Sequence, residues 1–262
     1  MTRKLWGIYQ VTTCWAFTVL FCTLGSLFLL LTLRAFSYSL ASRMLRFYGR
    51  GMCWLSRIEI VVEGEEHLET AAPCVIAMNH TSVIDIFVIS SYMPARLVVV
   101  GKKEMLLVPF VGQIYWLMRF ITVDRKNSVR AVASMKRANR LIADNKLRVL
   151  VAPEGTRTKD GSLGPFKKGA FFTAMELGCP IVSMVMAGSY AIHPSGQVST
   201  TPGRVRIRVL PPMDSSTFNR TNLQDKADEL RQQMSDALDD MYASDPKISR
   251  YPRHHDQTES ET

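Results

Sequence analysis

The residue pair best placed for catalysis is a histidine and an aspartate in the sequence NHTSVID. His80 directly follows an apolar run, and Asp85 comes five residues later. A histidine base needs a partner on its second ring nitrogen, and a carboxylate supplies that partner. Because helical positions five apart lie about 140° apart, the pair can meet only if His80 precedes the helix, where Thr81 or Ser82 would suit its N-cap. Taken alone, this pattern fits a structural histidine better than a catalytic one.

A second cluster is the polar turn PEGTR at residues 153–157, which follows another apolar run. Within it, Gly155 allows a close backbone approach, and Arg157 offers a two-pronged donor to a phosphate. Lys167 and Lys168 follow shortly afterwards and add positive charge. Taken alone, this cluster fits a solvated surface turn equally well.

A third cluster lies in the most basic part of the chain. The net charge of +9 is the sum of four blocks: +7 over residues 1–58, −6 over 59–95, +8 over 96–140 and zero over 141–262. In the third block, Lys102, Lys103 and Arg125 could face a phosphate, although a solvated face is again an equal alternative. Nothing in the charge pattern resembles a basic nucleic-acid tail, so we expect no nucleic-acid partner.

The charge of the first block accompanies a long apolar segment. No charged residue occurs from Leu5 to Leu33, and its most apolar 23 residues would span roughly 35 Å as a helix, enough for a hydrocarbon core of about 30 Å. A basic amphipathic stretch, Ala35–Arg57, follows and suits an anionic leaflet. Positive charge after the apolar run predicts a main domain on the cytoplasmic face (the inner membrane in a bacterium). A re-entrant hairpin, a cleaved signal peptide and a buried core helix remain alternatives.

The remainder predicts an α/β fold with a mixed, largely parallel sheet flanked by helices. Seven β-like runs begin near residues 58, 74, 96, 120, 148, 181 and 204, with helical patterns at 127–145 and 222–242. We therefore expect a membrane-anchoring segment at 1–57, an α/β domain at 58–243 and a polar, disordered tail at 244–262. The five cysteines are scattered and contain no CxxC pair, which predicts neither disulfides nor a zinc site.

Several enzyme classes lack their sequence signatures in this chain. A serine lipase or esterase needs a G-x-S-x-G nucleophile elbow, and none occurs. Neither G-x-G-x-x-G nor a P-loop is present.

Together the three clusters resemble the motifs of the glycerolipid acyltransferase family, over about Pro73–Ser189. Its His-Asp motif matches His80 and Asp85. The residues that match its other motifs are Lys102, Glu104, Pro109, Gly112, Asp124 and Arg125 for the second, Pro153–Arg157 with Phe166, Lys167 and Gly169 for the third, and Pro180, Ile181 and Val182 for the fourth. Arg119, Ala152 and Ser183 depart from residues that are frequent in the family.

The resemblance implies transfer of an acyl group from acyl-CoA or acyl-carrier protein to the sn-2 hydroxyl of lysophosphatidic acid, which gives phosphatidic acid for phospholipid synthesis. It implies His80 as the base and Asp85 as its orienting partner, with no metal or cofactor. It also implies that the acceptor phosphate is held by Glu154, Gly155, Thr156, Arg157, Lys102 and Arg125, with Lys103, Lys167 and Lys168 as further contacts. The open alternatives are a glycerol-3-phosphate or lyso-aminolipid acyltransferase and a catalytically silent lipid-binding protein.

Overall fold

A computed structural model of the chain describes residues 2–32, 37–69, 72–92, 94–123 and 137–250. Its helices are α1 (Arg3–Thr32), α2 (Tyr38–Leu55), α3 (Asp85–Ser91), α4 (Val111–Leu117), α5 (residues 137–144), α6 (Gly169–Leu177), α7 (Ser189–Ile192) and α8 (Leu223–Ser244). Its strands are β1 (Ile58–Glu63), β2 (Cys74–Met78), β3 (Leu97–Lys102), β4 (Ile121–Val123), β5 (Arg148–Val151), β6 (Ile181–Ala187) and β7 (Gly203–Val209). Short 3-10 helices cover Glu65–Glu69 and Lys103–Leu107.

The seven strands form one sheet in the order β1-β7-β6-β2-β5-β3-β4. Every neighbouring pair is parallel except β6 with β7, which is antiparallel. The predicted mixed, largely parallel sheet is therefore confirmed, and each predicted β-like run contributes a strand. All residues of β2 and β6 are buried, as expected of central parallel strands covered on both faces.

This topology brings the first two sequence clusters and the main chain of Lys102, from the third, to one edge of the sheet. Because β2 is parallel to both β5 and β6, and β5 is parallel to β3, the carboxyl ends of these strands meet there. His80 follows β2, the PEGTR turn follows β5, and Lys102 ends β3. Ligands of open α/β sheets bind at this edge.

The N-terminal helices share the core of the α/β domain and are not a separate appendage. Buried residues of both helices, among them Cys14, Phe21 and Leu45, belong to the same apolar cluster as residues of β2 and β6. A hydrogen bond of 2.9 Å joins Thr18 Oγ1 of α1 to the Tyr48 hydroxyl of α2. The predicted boundary at residue 57 therefore does not separate two packing units.

The C-terminal boundary also differs from the prediction. Ile248 is buried in the apolar cluster that α6 and α8 form with one face of β2 and β6, and Asp245 accepts a hydrogen bond from Arg204. The predicted disordered tail at 244–262 is thus wrong for residues 244–250, because the apolar side chain of Ile248 packs in the core. Residues 251–262 lie outside the described part of the chain.

One described helix is long and apolar enough to cross a membrane by length and composition. The candidate segment is Lys4–Phe28 in α1, with a mean hydropathy of 1.7. One side of α1 packs against the domain, while its other side exposes large apolar residues: Leu5, Ile8, Tyr9, Trp15, Val19, Leu20, Leu24, Leu27 and Leu31.

Candidate active site

His80 and Asp85 meet at the carboxyl end of β2. His80 lies in the turn between β2 and α3, while Asp85 is the first residue of α3, as the spacing requires. The Nδ1 atom of His80 lies 2.9 Å from Oδ2 of Asp85. The Asp85 side chain is fully buried, whereas a fifth of the His80 side chain is exposed. The imidazole is therefore held from the protein side and reaches solvent.

The Asp85 carboxylate also organises the turn that carries His80. Its Oδ2 atom accepts hydrogen bonds from the main-chain N–H groups of Thr81 (2.7 Å) and Ser82 (2.8 Å). The expectation that Thr81 or Ser82 caps α3 is therefore wrong, since the residue at the N-cap position is Ile84 and no side chain caps the helix there. The helix's own first carboxylate reaches back to the preceding turn instead.

Glu154, in the PEGTR turn that follows the neighbouring strand β5, contacts the turn that carries His80. Its Oε1 atom accepts the main-chain N–H of His80 at 2.9 Å, and its Oε2 atom accepts that of Gly164 at 3.0 Å. Burial raises the pKa of the Glu154 carboxyl, and these two hydrogen bonds oppose the rise. Glu154 is only 4% exposed, so its buried oxygens are directed at the main chain, in contrast to the expected contact with an acceptor phosphate.

Two further contacts fix the main chain around His80. The carbonyl oxygen of His80 accepts the N–H of Thr158 at 3.3 Å. The amide side chain of Asn79 exchanges two hydrogen bonds of 2.8 Å with the main chain of Met186 in β6. The main chain around the base is therefore held by β6 and by the loop that follows β5. Asn79 is a positioning residue that the sequence motifs did not single out.

A polar cleft of about 260 Å³ opens beside this turn. It is lined by Thr81, Ser82, Val83, Thr156, Arg157, Thr158, Lys159, His193, Ser195, Gly196 and Gln197. The expected phosphate ligands Thr156 and Arg157 thus lie in its wall, and both are exposed. An anionic group bound there would meet the guanidinium of Arg157 and the ammonium of Lys159, a suitable pair for phosphate.

Gly155 forms the sharp bend of the PEGTR turn. Its φ of +74° favours glycine, and a Cβ there would lie 2.7 Å from Nζ of Lys167. The Lys167 main chain is also tied to the turn, because its N–H donates to Pro153 O at 2.9 Å. The structure therefore brings Lys167 against the PEGTR turn.

For the remaining predicted basic residues, the structure does not show a contact with the cleft. Lys102 ends β3 at the same sheet edge, but its side chain lies outside the described part of the chain, as does all of Arg125. Lys103 begins the following 3-10 helix, and Lys168 precedes α6; both are exposed. Whether these four reach the cleft stays a prediction.

The opposite wall of the cleft comes from the connection between α7 and β7, which sequence reasoning missed. His193, Ser195, Gly196 and Gln197 line it, and they lie beyond the last family motif. Burial lowers the pKa of His193, and the nearby charge of Arg157 lowers it further. The only local signal was the turn-forming PSG sequence, which carries no chemistry of its own.

Comparisons with known proteins show which sequences and folds this chain resembles. A family model described as Acyltransferase matches residues 59–187. The 1-acyl-sn-glycerol-3-phosphate acyltransferase of Limnanthes douglasii is 36% identical over 172 residues, which are 66% of this chain and 60% of the relative. The alpha form from Bos taurus is 33% identical over 181 residues, 69% of this chain and 63% of the relative. The chain thus spans about three fifths of the length of these relatives.

The fold has a solved counterpart. The crystal structure of the 1-acyl-sn-glycerophosphate (LPA) acyltransferase PlsC from Thermotoga maritima superposes with a TM-score of 0.74. The match covers 93% of this chain and 97% of that one, at 22% sequence identity, and so shows a shared fold. Residues 59–187 thus match the Acyltransferase family, and about two thirds of the chain resembles 1-acyl-sn-glycerol-3-phosphate acyltransferases.

Proposed function

We propose that this protein transfers an acyl group from an acyl thioester to the sn-2 hydroxyl of lysophosphatidic acid. The observation that carries the proposal is the His80–Asp85 pair, with its 2.9 Å contact, next to a cleft that Thr81 and Arg157 line. A base beside a cationic cleft is what a hydroxyl acceptor with a phosphate headgroup requires. Relatives named for the same reaction support it.

The chemistry follows from which ring nitrogen of His80 contacts Asp85. Because Nδ1 of His80 faces the carboxylate, its proton stays there, and Nε2 is the free basic atom. Nε2 removes the acceptor hydroxyl proton as the oxygen attacks the thioester carbonyl. The new C–O bond forms, the C–S bond breaks, and the imidazolium returns the proton to the leaving thiolate. Asp85 stabilises the imidazolium between these events.

The phosphate of the acceptor would be held by the cationic wall of the cleft. We assign this role first to Arg157 and Thr156, with Lys167 as the neighbouring cation and Gly155 as the residue that allows its approach. Lys102 and Arg125 remain candidates for the same role, with Lys103 and Lys168 as further contacts. Glu154 we reassign from phosphate ligand to positioning residue, because it binds the His80 and Gly164 amides.

The donor is proposed to be acyl-CoA or acyl-carrier protein, and the thioester reaction as written needs no metal or redox cofactor. Phosphatidic acid made in this way would enter phospholipid synthesis. An alternative acceptor, glycerol 3-phosphate or a lyso-aminolipid, would use the same base and is distinguished by the experiment below.

The substrates are lipids, and the N-terminal helices suit a membrane surface. Exposed aromatic residues of α2, Phe47 at 65% and Trp54 at 76%, lie between the exposed Arg43, Arg50 and Arg57. Aromatic rings with arginines favour an anionic interface. Since α1 contacts the domain from Trp6 to Cys22, we propose that both helices lie in one leaflet, on the cytoplasmic face.

The experiment is acyl transfer by purified protein in anionic vesicles. Labelled acyl-CoA or acyl-carrier protein is supplied with lysophosphatidic acid, glycerol 3-phosphate or a lyso-aminolipid, for the wild type and for Arg157→Ala. We expect labelled phosphatidic acid, and a raised acceptor KM in the variant. Transfer to none of the acceptors would refute the function, and an unchanged kcat and KM in Arg157→Ala would refute the phosphate role.

A further inference from the structure

One wall of the cleft is built from a stretch of chain with little secondary structure. Residues 193–202, which we call the α7–β7 segment, connect α7 with β7 and contain neither helix nor strand. Ser195 and Gln197 of this segment are exposed to the cleft and carry a hydroxyl and an amide, both suited to hydrogen bonds with phosphate or glycerol oxygens. A wall of this kind needs anchors if it is to hold a ligand.

The first anchor ties the segment to the turn that carries the base. The hydroxyl of Ser82 donates to the carbonyl oxygen of His193 at 2.8 Å, and the N–H of Ser82 donates to Asp85. Ser82 is only 3% exposed. One buried serine thus joins the catalytic carboxylate to the beginning of the α7–β7 segment.

The second anchor is the N-terminal helix. The indole Nε1–H of Trp6 donates to the carbonyl oxygen of Thr200 at 2.7 Å, and the Thr200 N–H donates to Oε1 of Gln10 at 3.4 Å. All three residues are buried. Helix α1 approaches closely here, because a Cβ on Gly7 would lie 3.2 Å from the Ser199 hydroxyl. The end of the segment is therefore held by a helix whose other side is apolar and exposed.

From these contacts we infer that α1 is part of the acceptor site, with Trp6 and Gln10 as positioning residues for the cleft wall at Ser195–Gln197. This inference rests on the proposed function, since it concerns the acceptor of that reaction. The base is anchored by Asp85 and Glu154, independently of α1. Loosening the α1 anchor therefore weakens acceptor binding and leaves the chemical step and the donor site intact.

The test uses Trp6→Phe and Gln10→Ala in the full-length protein. Trp6→Phe removes the indole donor but retains an aromatic ring for the Arg57 guanidinium, which lies 5.2 Å from the Trp6 ring centre. The matched control is Trp15→Phe, the same change on the same helix at a side chain that is 55% exposed. KM for lysophosphatidic acid, KM for acyl-CoA, kcat and amide hydrogen exchange over residues 193–202 are measured in anionic vesicles.

We expect each α1 variant to raise the acceptor KM by about threefold to tenfold, the effect of one lost hydrogen bond. The donor KM and kcat at saturating acceptor stay within twofold of wild type, and exchange quickens in the α7–β7 segment. Trp15→Phe should change none of these. An unchanged acceptor KM, or a fall in kcat alone, in an active enzyme would overturn this inference only. A wild type that transfers acyl groups to no acceptor would overturn the proposed function and this inference with it.

Discussion

Replacing Asp85 by asparagine separates the structural role of this residue from its proposed chemical role. The three donors around Asp85 all converge on Oδ2: the Nδ1–H of His80 and the N–H groups of Thr81 and Ser82. Among the described residues, Oδ1 is buried without a hydrogen-bond partner. The single oxygen of asparagine can therefore take the place of Oδ2 and keep the turn, while the negative charge is lost.

The size of the effect follows from the 2.9 Å contact between the two side chains. At an effective dielectric constant of about 20, an imidazolium and a carboxylate at that distance attract by about 6 kcal/mol. A neutral amide oxygen retains about half of a charge-assisted hydrogen bond. The stabilisation lost in the transition state is then about 3 kcal/mol, which lowers kcat about 10²-fold.

The assay compares kcat and thermal unfolding of the wild type, Asp85→Asn and Asp85→Ala. We expect Asp85→Asn to unfold within a few degrees of wild type while kcat falls. Asp85→Ala should lose the same activity and also about 1–3 kcal/mol of stability for each buried N–H left without an acceptor. A wild-type kcat for Asp85→Asn would refute the reasoning about charge, and unchanged stability of Asp85→Ala would refute the reasoning about the turn.

Three further predictions concern other parts of the molecule. Glu154→Gln leaves one of two main-chain N–H groups without an acceptor, at a cost of about 1–3 kcal/mol. We therefore expect kcat to fall at least fivefold with little change in the acceptor KM. A change in the acceptor KM alone would instead support Glu154 as a ligand of the acceptor phosphate. Although burial opposes the shift, hydrogen bonds from Arg206 and Arg208 lower the pKa of Glu63. Its stabilising contribution is therefore present above its unfolded pKa of about 4.3 and is lost as the pH falls further. Glu63→Gln should lower the unfolding temperature relative to wild type at pH 7, and by a smaller amount at pH 3. An equal decrease at both pH values would contradict this. Trp54→Ala should weaken binding to anionic vesicles about tenfold by removing apolar contact, with unchanged salt dependence; sedimentation that matches wild type would remove α2 from the proposed interface.

The sequence determines the sheet and the meeting of His80 with Asp85 because both depend on local patterns. Apolar runs mark the strands, and the five-residue spacing requires the histidine to precede α3. The role of Glu154 depends on its distance from the His80 amide, 74 positions away in the chain, which no local pattern contains. The family resemblance therefore implied a phosphate contact for Glu154, whereas its burial and its two amide partners indicate a positioning role.

The packing of α1 against the domain could not be predicted from the sequence either. Uncharged residues from Leu5 to Leu33 predict a span, but they do not show that Gln10 and Thr18 are buried against the domain. The cleft wall at His193–Gln197 could not be predicted either, because only the fold brings these residues to the same cleft as Arg157. Long-range contacts account for what the sequence did not show.

The most direct test of the central proposal is the rate at which purified protein forms phosphatidic acid from acyl-CoA and lysophosphatidic acid, with and without His80. The comparison uses His80→Ala and, as a matched control, His67→Ala. The His67 ring lies beside Gly64, just after the carboxyl end of β1. We predict that His80→Ala, folded as the wild type, loses about 10²- to 10⁴-fold in kcat, while His67→Ala retains it. Product formation by His80→Ala at the wild-type rate would contradict the account.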